Sequence, residues 1–123
     1  MISKTTSLLV TAIGITFAGC TQQPKTYSCY FKNHPQSLSS LSISSNTAIL
    51  GNAEYGAFCG KEGNELIYGL TEQDCKTLHE QTEQSKKTYS ILVFDEIIGE
   101  ASQWFFLGKT MSSEFYSCQK ANL

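Results

Sequence analysis

The chain has no arginine, two histidines, two prolines and one tryptophan in 123 residues. Each scarcity excludes something. Nucleic-acid binders cluster Lys and Arg on one face. Here nine lysines stand against eleven acidic residues, and the adjacent pair Lys86-Lys87 reads as a solvated helix end. No nucleic-acid partner is expected. Two histidines leave little for a nucleophile–base–acid set, which needs a histidine oriented by a carboxylate. His34 precedes Pro35 in an early loop, and His79 falls on the polar flank of a helix. The serines come without a G-x-S-x-G, and Gly60 and Gly63 without the G-K-[ST] of a phosphate loop. No C-x-x-C is present, and Cys75-x-x-x-His79 is the nearest approach to a zinc spacing. Asp95 and Glu96, as strand neighbours, point to opposite faces and cannot flank one glycosidic bond. The expectation is therefore no enzyme, no metal and no cofactor. Also missing is any apolar run of the roughly twenty residues that cross a bilayer.

The longest mostly apolar run, Leu8 to Phe17, is about half that length. It follows Lys4 and leads through Ala18-Gly19 into Cys20. A cation, a short apolar stretch and small residues, in that order, make a secretory signal. The ending Phe17-Ala18-Gly19-Cys20 resembles the lipobox of bacterial lipoprotein precursors, with Phe17 where that family usually has leucine. The resemblance implies cleavage before Cys20, loss of residues 1–19, and lipid on Cys20, so that the membrane is one partner. Thr21, rather than aspartate, implies the outer membrane. One acyl chain holds a protein only marginally; the three chains usual in this family would hold it permanently. Residues 20–26, with Pro24, read as the lipidated cysteine and a short tether, and residues 27–123 as a single β-rich domain.

Removal of 19 residues from 123 leaves 104, enough for one core. Without Lys4 the mature chain has eight cations and eleven anions, a formal charge of −3. Five cysteines become four once Cys20 carries lipid, an even set for an oxidising compartment. Cys29, Cys59, Cys75 and Cys118 allow three pairings. The preferred one is Cys29–Cys118 with Cys59–Cys75, because Tyr27-Ser28-Cys29 opens the domain and Tyr116-Ser117-Cys118 closes it; the other two stay open.

Alternation of apolar and polar residues places strands at Tyr27–Phe31, Leu41–Ser44, Thr47–Leu50 and Tyr89–Ile98, and again at Gln103–Leu107 and Met111–Cys118. Tyr55, Ala57 and Cys59 read as one face of a strand. Leu66, Tyr68 and Leu70 return across a five-residue loop, Gly60–Asn64. Ile91 and Val93 oppose Leu92 and Phe94, so the strand from Tyr89 is apolar on both faces and central. Thr71, with Asp74 three places on, starts one helix, whose stripe is Cys75, Leu78 and Thr82 and whose end is near Lys86-Lys87. The expected fold is mainly β: a small antiparallel meander or barrel of six to eight strands with one inserted helix, stapled by disulfides.

Large aromatic surface comes from Tyr55, Tyr68, Trp104, Phe105 and Phe106. Three consecutive aromatics in one strand cannot share a face. Either the helix covers the second face, or an exposed ring marks a partner site, since Trp and Tyr are enriched at binding hot spots. The candidate binding residues are Trp104, Phe105, Tyr55 and Tyr68, with the Gly60–Asn64 loop nearby. The layout is similar to that of lipoproteins that inhibit lysozyme, through the signal, the Tyr27-Ser28-Cys29 opening and the β character. Their Ser-Gly-x-x-Tyr inhibitory loop is absent, so no inhibitory residue is carried over. Phage-exclusion and toxin-immunity lipoproteins share the same outline. These resemblances imply a non-catalytic binding or inhibitory module acting on an envelope protein or an incoming enzyme. The alternatives are a structural envelope-assembly lipoprotein or a small envelope enzyme.

Overall fold

In the computed structural model, residues 23–80 and 88–121 are described. The signal, Cys20, Thr82 and Lys86-Lys87 lie outside them.

The alternation seen in the sequence becomes nine antiparallel strands: β1 Lys25–Phe31, β2 His34–Ile43, β3 Ala48–Leu50, β4 Ala53–Tyr55, β5 Ala57–Glu62, β6 Glu65–Gly69, β7 Tyr89–Asp95, β8 Glu100–Leu107 and β9 Thr110–Lys120. One helix, α1 Glu72–Glu80, lies between β6 and β7. Their order across the sheet is β4-β3-β2-β1-β9-β8-β7-β6-β5. Consecutive strands pair from β1 to β4 and from β5 to β9, and the last strand pairs with the first. Only β4 and β5 do not pair, and Gly56 alone separates them. They act as one strand bent at Gly56, pairing with β3 through its first half and with β6 through its second. The chain thus forms a nearly closed barrel with eight staves, a size whose interior side chains can just fill.

The filling is dominated by Tyr68, Phe94, Leu41, Leu92 and Cys29, each less than 2 % exposed. Tyr27 meets Phe94 edge to face at 4.8 Å between ring centres. The Tyr68 hydroxyl donates to the Ser44 carbonyl at 2.8 Å, and burial pushes its phenol up to about 12, with Glu96 adding to the shift. Cys29 and Cys118 sit opposite each other in the β1–β9 ladder and are bonded, so the first and last strands are covalently joined. The second disulfide, Cys59–Cys75, ties β5 to α1. The preferred pairing is the one found.

Helix α1 starts as expected. The Thr71 N–H donates to Asp74 Oδ2 at 2.8 Å, and the Asp74 N–H points back at Thr71 Oγ1, a reciprocal cap that satisfies two orphan donors. Asp74 Oδ1 also accepts from the Ser90 N–H at 2.9 Å, which fixes the helix to β7. The buried helical residue is Thr77, not part of the Cys75–Leu78 stripe; Cys75 and Leu78 are only partly buried.

Several boundaries differ from expectation for physical reasons. β1 takes Lys25 and Thr26 from the tether segment, pairing them with Ile43 and Ser42. β2 begins at His34, seven residues before the alternation that announced it. Up to Leu38 its only neighbour is β1, so Pro35, which has no N–H to give, costs no ladder bond. The five-residue loop shrinks to a turn at Gly63-Asn64, with Glu62 and Glu65 already paired. β7 stops at Asp95, because Asp95 Oδ1 accepts the N–H groups of Ile97 and Ile98 and folds the chain back. At Gly56 the alternation flips. Tyr55 belongs to the core, whereas Ala57 pairs with Gly69 under the helix and Phe58 pairs with Tyr68. Tyr55, Ala57 and Cys59 therefore do not share a face, and Cys59 occupies a bulge between Phe58 and Gly60.

Candidate functional site

Because side chains alternate along a strand, Trp104 and Phe106 of β8 point away from the interior that Ala101 fills. The ladders then decide their company. Ile91 stands beside Trp104 and Tyr89 beside Phe106 on β7, while Ser113 and Met111 flank them on β9. Tyr89 stacks on Phe106 at 4.3 Å. Phe106 lies parallel to Trp104 at 6.2 Å, and Trp104 meets Phe115 edge-on at 5.6 Å. The Trp104 Nε1–H donates to Ser102 Oγ at 2.7 Å, which fixes the indole's rotation. Four rings from three strands thus form one continuous aromatic wall on the outside of the barrel.

Three of these rings, Trp104, Phe106 and Phe115, floor a groove of about 390 Å³ whose apolar lining also includes Ile91, Val93 and Ile98, while Tyr89 lies behind Phe106 and outside the lining. One rim carries Glu65 and Asp95, register partners on adjacent strands. Glu100 lies on the rim as well, with Lys32 Nζ at 2.7 Å. Three carboxylates and one ammonium leave the rim net negative. Among the described residues helix α1 packs chiefly on β5, β6 and β7, and the rings of β8 and β9 pack on one another. Burial falls across the wall: Tyr89, on the strand that α1 packs against, is 4 % exposed, and Phe115 on β9 is 44 % exposed.

The other expected binding residues go elsewhere. Phe105 alternates to the opposite side of β8 and is 45 % exposed. It lines a smaller hollow of about 180 Å³ with Tyr55, Gln103 and Glu114. There the Gln103 side chain bridges two phenols. It donates through Nε2 to the Tyr55 oxygen at 2.8 Å and accepts the Tyr116 hydroxyl at 3.0 Å. Desolvation raises the Tyr55 phenol, against the lowering effect of the Gln103 bond. Desolvation, then Glu114, pushes Tyr116 up to about 12. Tyr68 is 1 % exposed and holds the core. The four residues are therefore split between the outer groove, which holds Trp104, and the interior side of the barrel, where Tyr55 and Tyr68 are buried and Phe105 lines the hollow. The Gly60–Asn64 segment does not line the outer groove; its neighbour Glu65 does.

Reading the residues one by one missed Tyr89, Ile91 and Phe115. The available signal was that β7 is apolar on both faces, so one face had to lie outside the barrel and needed cover.

The residues considered for chemistry stand apart. His34 lies against the Phe31 ring, with 5.5 Å between ring centres. His79 Nε2 sits 3.1 Å from the Cys59 carbonyl. Asp95 is engaged in its turn, and Glu96, which the structure places in that turn rather than in the strand, lies 3.7 Å from Lys25 Nζ. Among the described residues no group of three His, Cys, Asp or Glu side chains could hold a metal ion, and no helix is long and apolar enough to cross a membrane. Comparison with protein-family models, with curated proteins and with solved structures finds no match for this chain.

Proposed function

We propose that this protein is an outer-membrane lipoprotein, held through lipid on Cys20, that acts as a non-catalytic binding or inhibitory module on another envelope protein or an incoming enzyme. The observation that carries this reading is the outward aromatic groove of β7, β8 and β9. Three rings, Trp104, Phe106 and Phe115, line it on the outside of the barrel, backed by the buried Tyr89, and one of them is the chain's single tryptophan. Rings held in place by stacking and by the Trp104–Ser102 hydrogen bond lose little freedom on binding, which favours affinity. The net negative rim suits a partner that presents cationic side chains around an apolar one. A tether adds effective concentration, so modest intrinsic affinity suffices.

The test is affinity capture from the protein's own cell envelope at low and high salt. The reading expects one dominant protein, recovered in amounts that fall roughly tenfold with Trp104→Ala and fall with added salt. Unchanged recovery with Trp104→Ala would remove the groove from the account. Turnover of a wall or lipid substrate by the purified protein would replace the binding module with an enzyme.

A further inference from the structure

Up-and-down strands give the barrel two distinct ends. β1 starts at one of them with Lys25, where the turns at Ser45-Asn46, Gly63-Asn64 and Glu96–Gly99 also lie and where β9 finishes at Lys120. The opposite end carries the β8–β9 turn at Gly108-Lys109. At the first end the Glu96–Gly99 turn projects two neighbouring isoleucines. Ile97 is 70 % and Ile98 65 % exposed, the highest values among the large apolar side chains described. Branched apolar residues are unusual in a turn, where Gly, Asn, Asp and Ser serve better. This turn is nonetheless well fixed. Asp95 Oδ1 accepts both isoleucine N–H groups, and Gly99 closes it with a bond to the Asp95 carbonyl and another from the Cys118 N–H. The isoleucines are thus held outward by a rigid support.

Their neighbours are the start and the end of the described chain. Lys25 and Lys120 line one groove with Ile97 and Ile98, and Lys25 pairs with Glu96 in the same turn. Cys20 lies five residues before Lys25, a reach of roughly 17 Å when extended. A lipid on Cys20 therefore keeps this end of the barrel within a short tether's length of the bilayer. From this placement we propose that the Ile97–Ile98 turn is a membrane-contacting tip that inserts into the lipid surface beside the anchor, with Lys25 and Lys120 at the headgroup level. Snorkelling lysines beside buried apolar side chains suit that boundary. Seating the tip sets the barrel upright and turns the β8–β9 end away from the membrane. The proposal rests on the lipid-anchor reading.

The experiment reconstitutes the full-length protein, expressed with its signal and recovered from membranes, into phosphatidylcholine vesicles containing brominated acyl chains. Two reporters are made in a Trp104→Phe background, Ile97→Trp at the tip and Leu107→Trp at the far end. Flotation and the mass of the N-terminal peptide report the anchor separately. The expected result is a floating, lipidated protein in which bromine quenches Ile97→Trp at least twofold more than Leu107→Trp. A lipidated, floating protein with equal quenching, or with none at Ile97→Trp, overturns the membrane tip and leaves the anchor standing. Protein that carries no lipid on Cys20 and stays with the aqueous fraction overturns the anchor and the tip together.

Discussion

Gly99 shows how much one position can be required to do. Its φ of +73° is one that L side chains rarely adopt, and a Cβ there would lie 2.6 Å from the Cys118 carbonyl oxygen. Both effects act together, so Gly99→Ala should lower unfolding free energy by about 2–3 kcal/mol; urea denaturation reads this directly, and a loss below measurement error would contradict it. The tyrosines make a second prediction at this scale. Tyr68 and Tyr116 have phenols pushed up to about 12, chiefly by desolvation. Below pH 10 both folded and unfolded chains keep these protons, so the preference has its full value there. Above pH 10 the unfolded chain releases them first, and stability falls as pH rises towards 12. Phenolate absorbance should therefore show part of the six tyrosines ionising only in a late step, together with loss of the β-sheet dichroism. One transition near pH 10 with the fold intact would contradict this. Residue-level reading of the sequence grouped Trp104 and Tyr68 as one aromatic surface, whereas the structure places Trp104 on the outside and Tyr68 in the core. Burial of a ring depends on which face of a strand becomes the interior, and that is decided by strand partners far away in the chain.

Among the elements, α1 is the one added to the barrel rather than built into it. Gly69 makes the contact possible, since a Cβ there would stand 2.9 Å from the Thr71 carbonyl and 3.0 Å from the Asp74 Cβ. Thr71, Asp74 and Ser90 then fix the helix start, and Cys59–Cys75 binds its first turn to β5. Replacing both of these cysteines with serine should release the helix while the barrel persists. Hydrogen exchange should quicken in 72–80 and stay slow in β1, β7 and β8. Uniform acceleration through all strands would show that the helix is part of the barrel's cooperative unit. The cap was legible because Thr71 and Asp74 are close in sequence and their chemistry is local. The end of β7 at Asp95 was not, because Ile97 and Ile98 continue the apolar pattern and only the Asp95 side chain diverts the backbone. The reversal at Gly56 was hidden for a similar reason: one glycine exchanges inside and outside between β4 and the start of β5.

The whole molecule is a barrel closed by its own first and last strands, with a disulfide across that closure. The loop spanned by Cys29–Cys118 covers 89 residues, for which a chain-entropy account gives about 4–5 kcal/mol. Replacing both cysteines with serine should cost more global stability than removing Cys59–Cys75, whose separation is 16 residues; the order of the two urea midpoints checks this, and the reverse order would contradict it. The mainly β class, the single helix and the disulfide pairing were all legible, because alternation, capping and the matching Tyr-Ser-Cys triplets carry them. The outer aromatic wall was legible only in part. Trp104 and Phe106 are adjacent in the pattern, but Tyr89, Ile91 and Phe115 join them only through the β7–β8–β9 register. The central claim is that this outer wall, and not another face, meets the partner. A photoreactive side chain in place of Trp104, compared with one in place of Ile49 on the outer face of β3, four strands away around the barrel, tests it in intact cell envelopes. The account predicts one dominant cross-linked protein from position 104 and none from 49; equal cross-linking from both, or cross-linking from 49 alone, would contradict it.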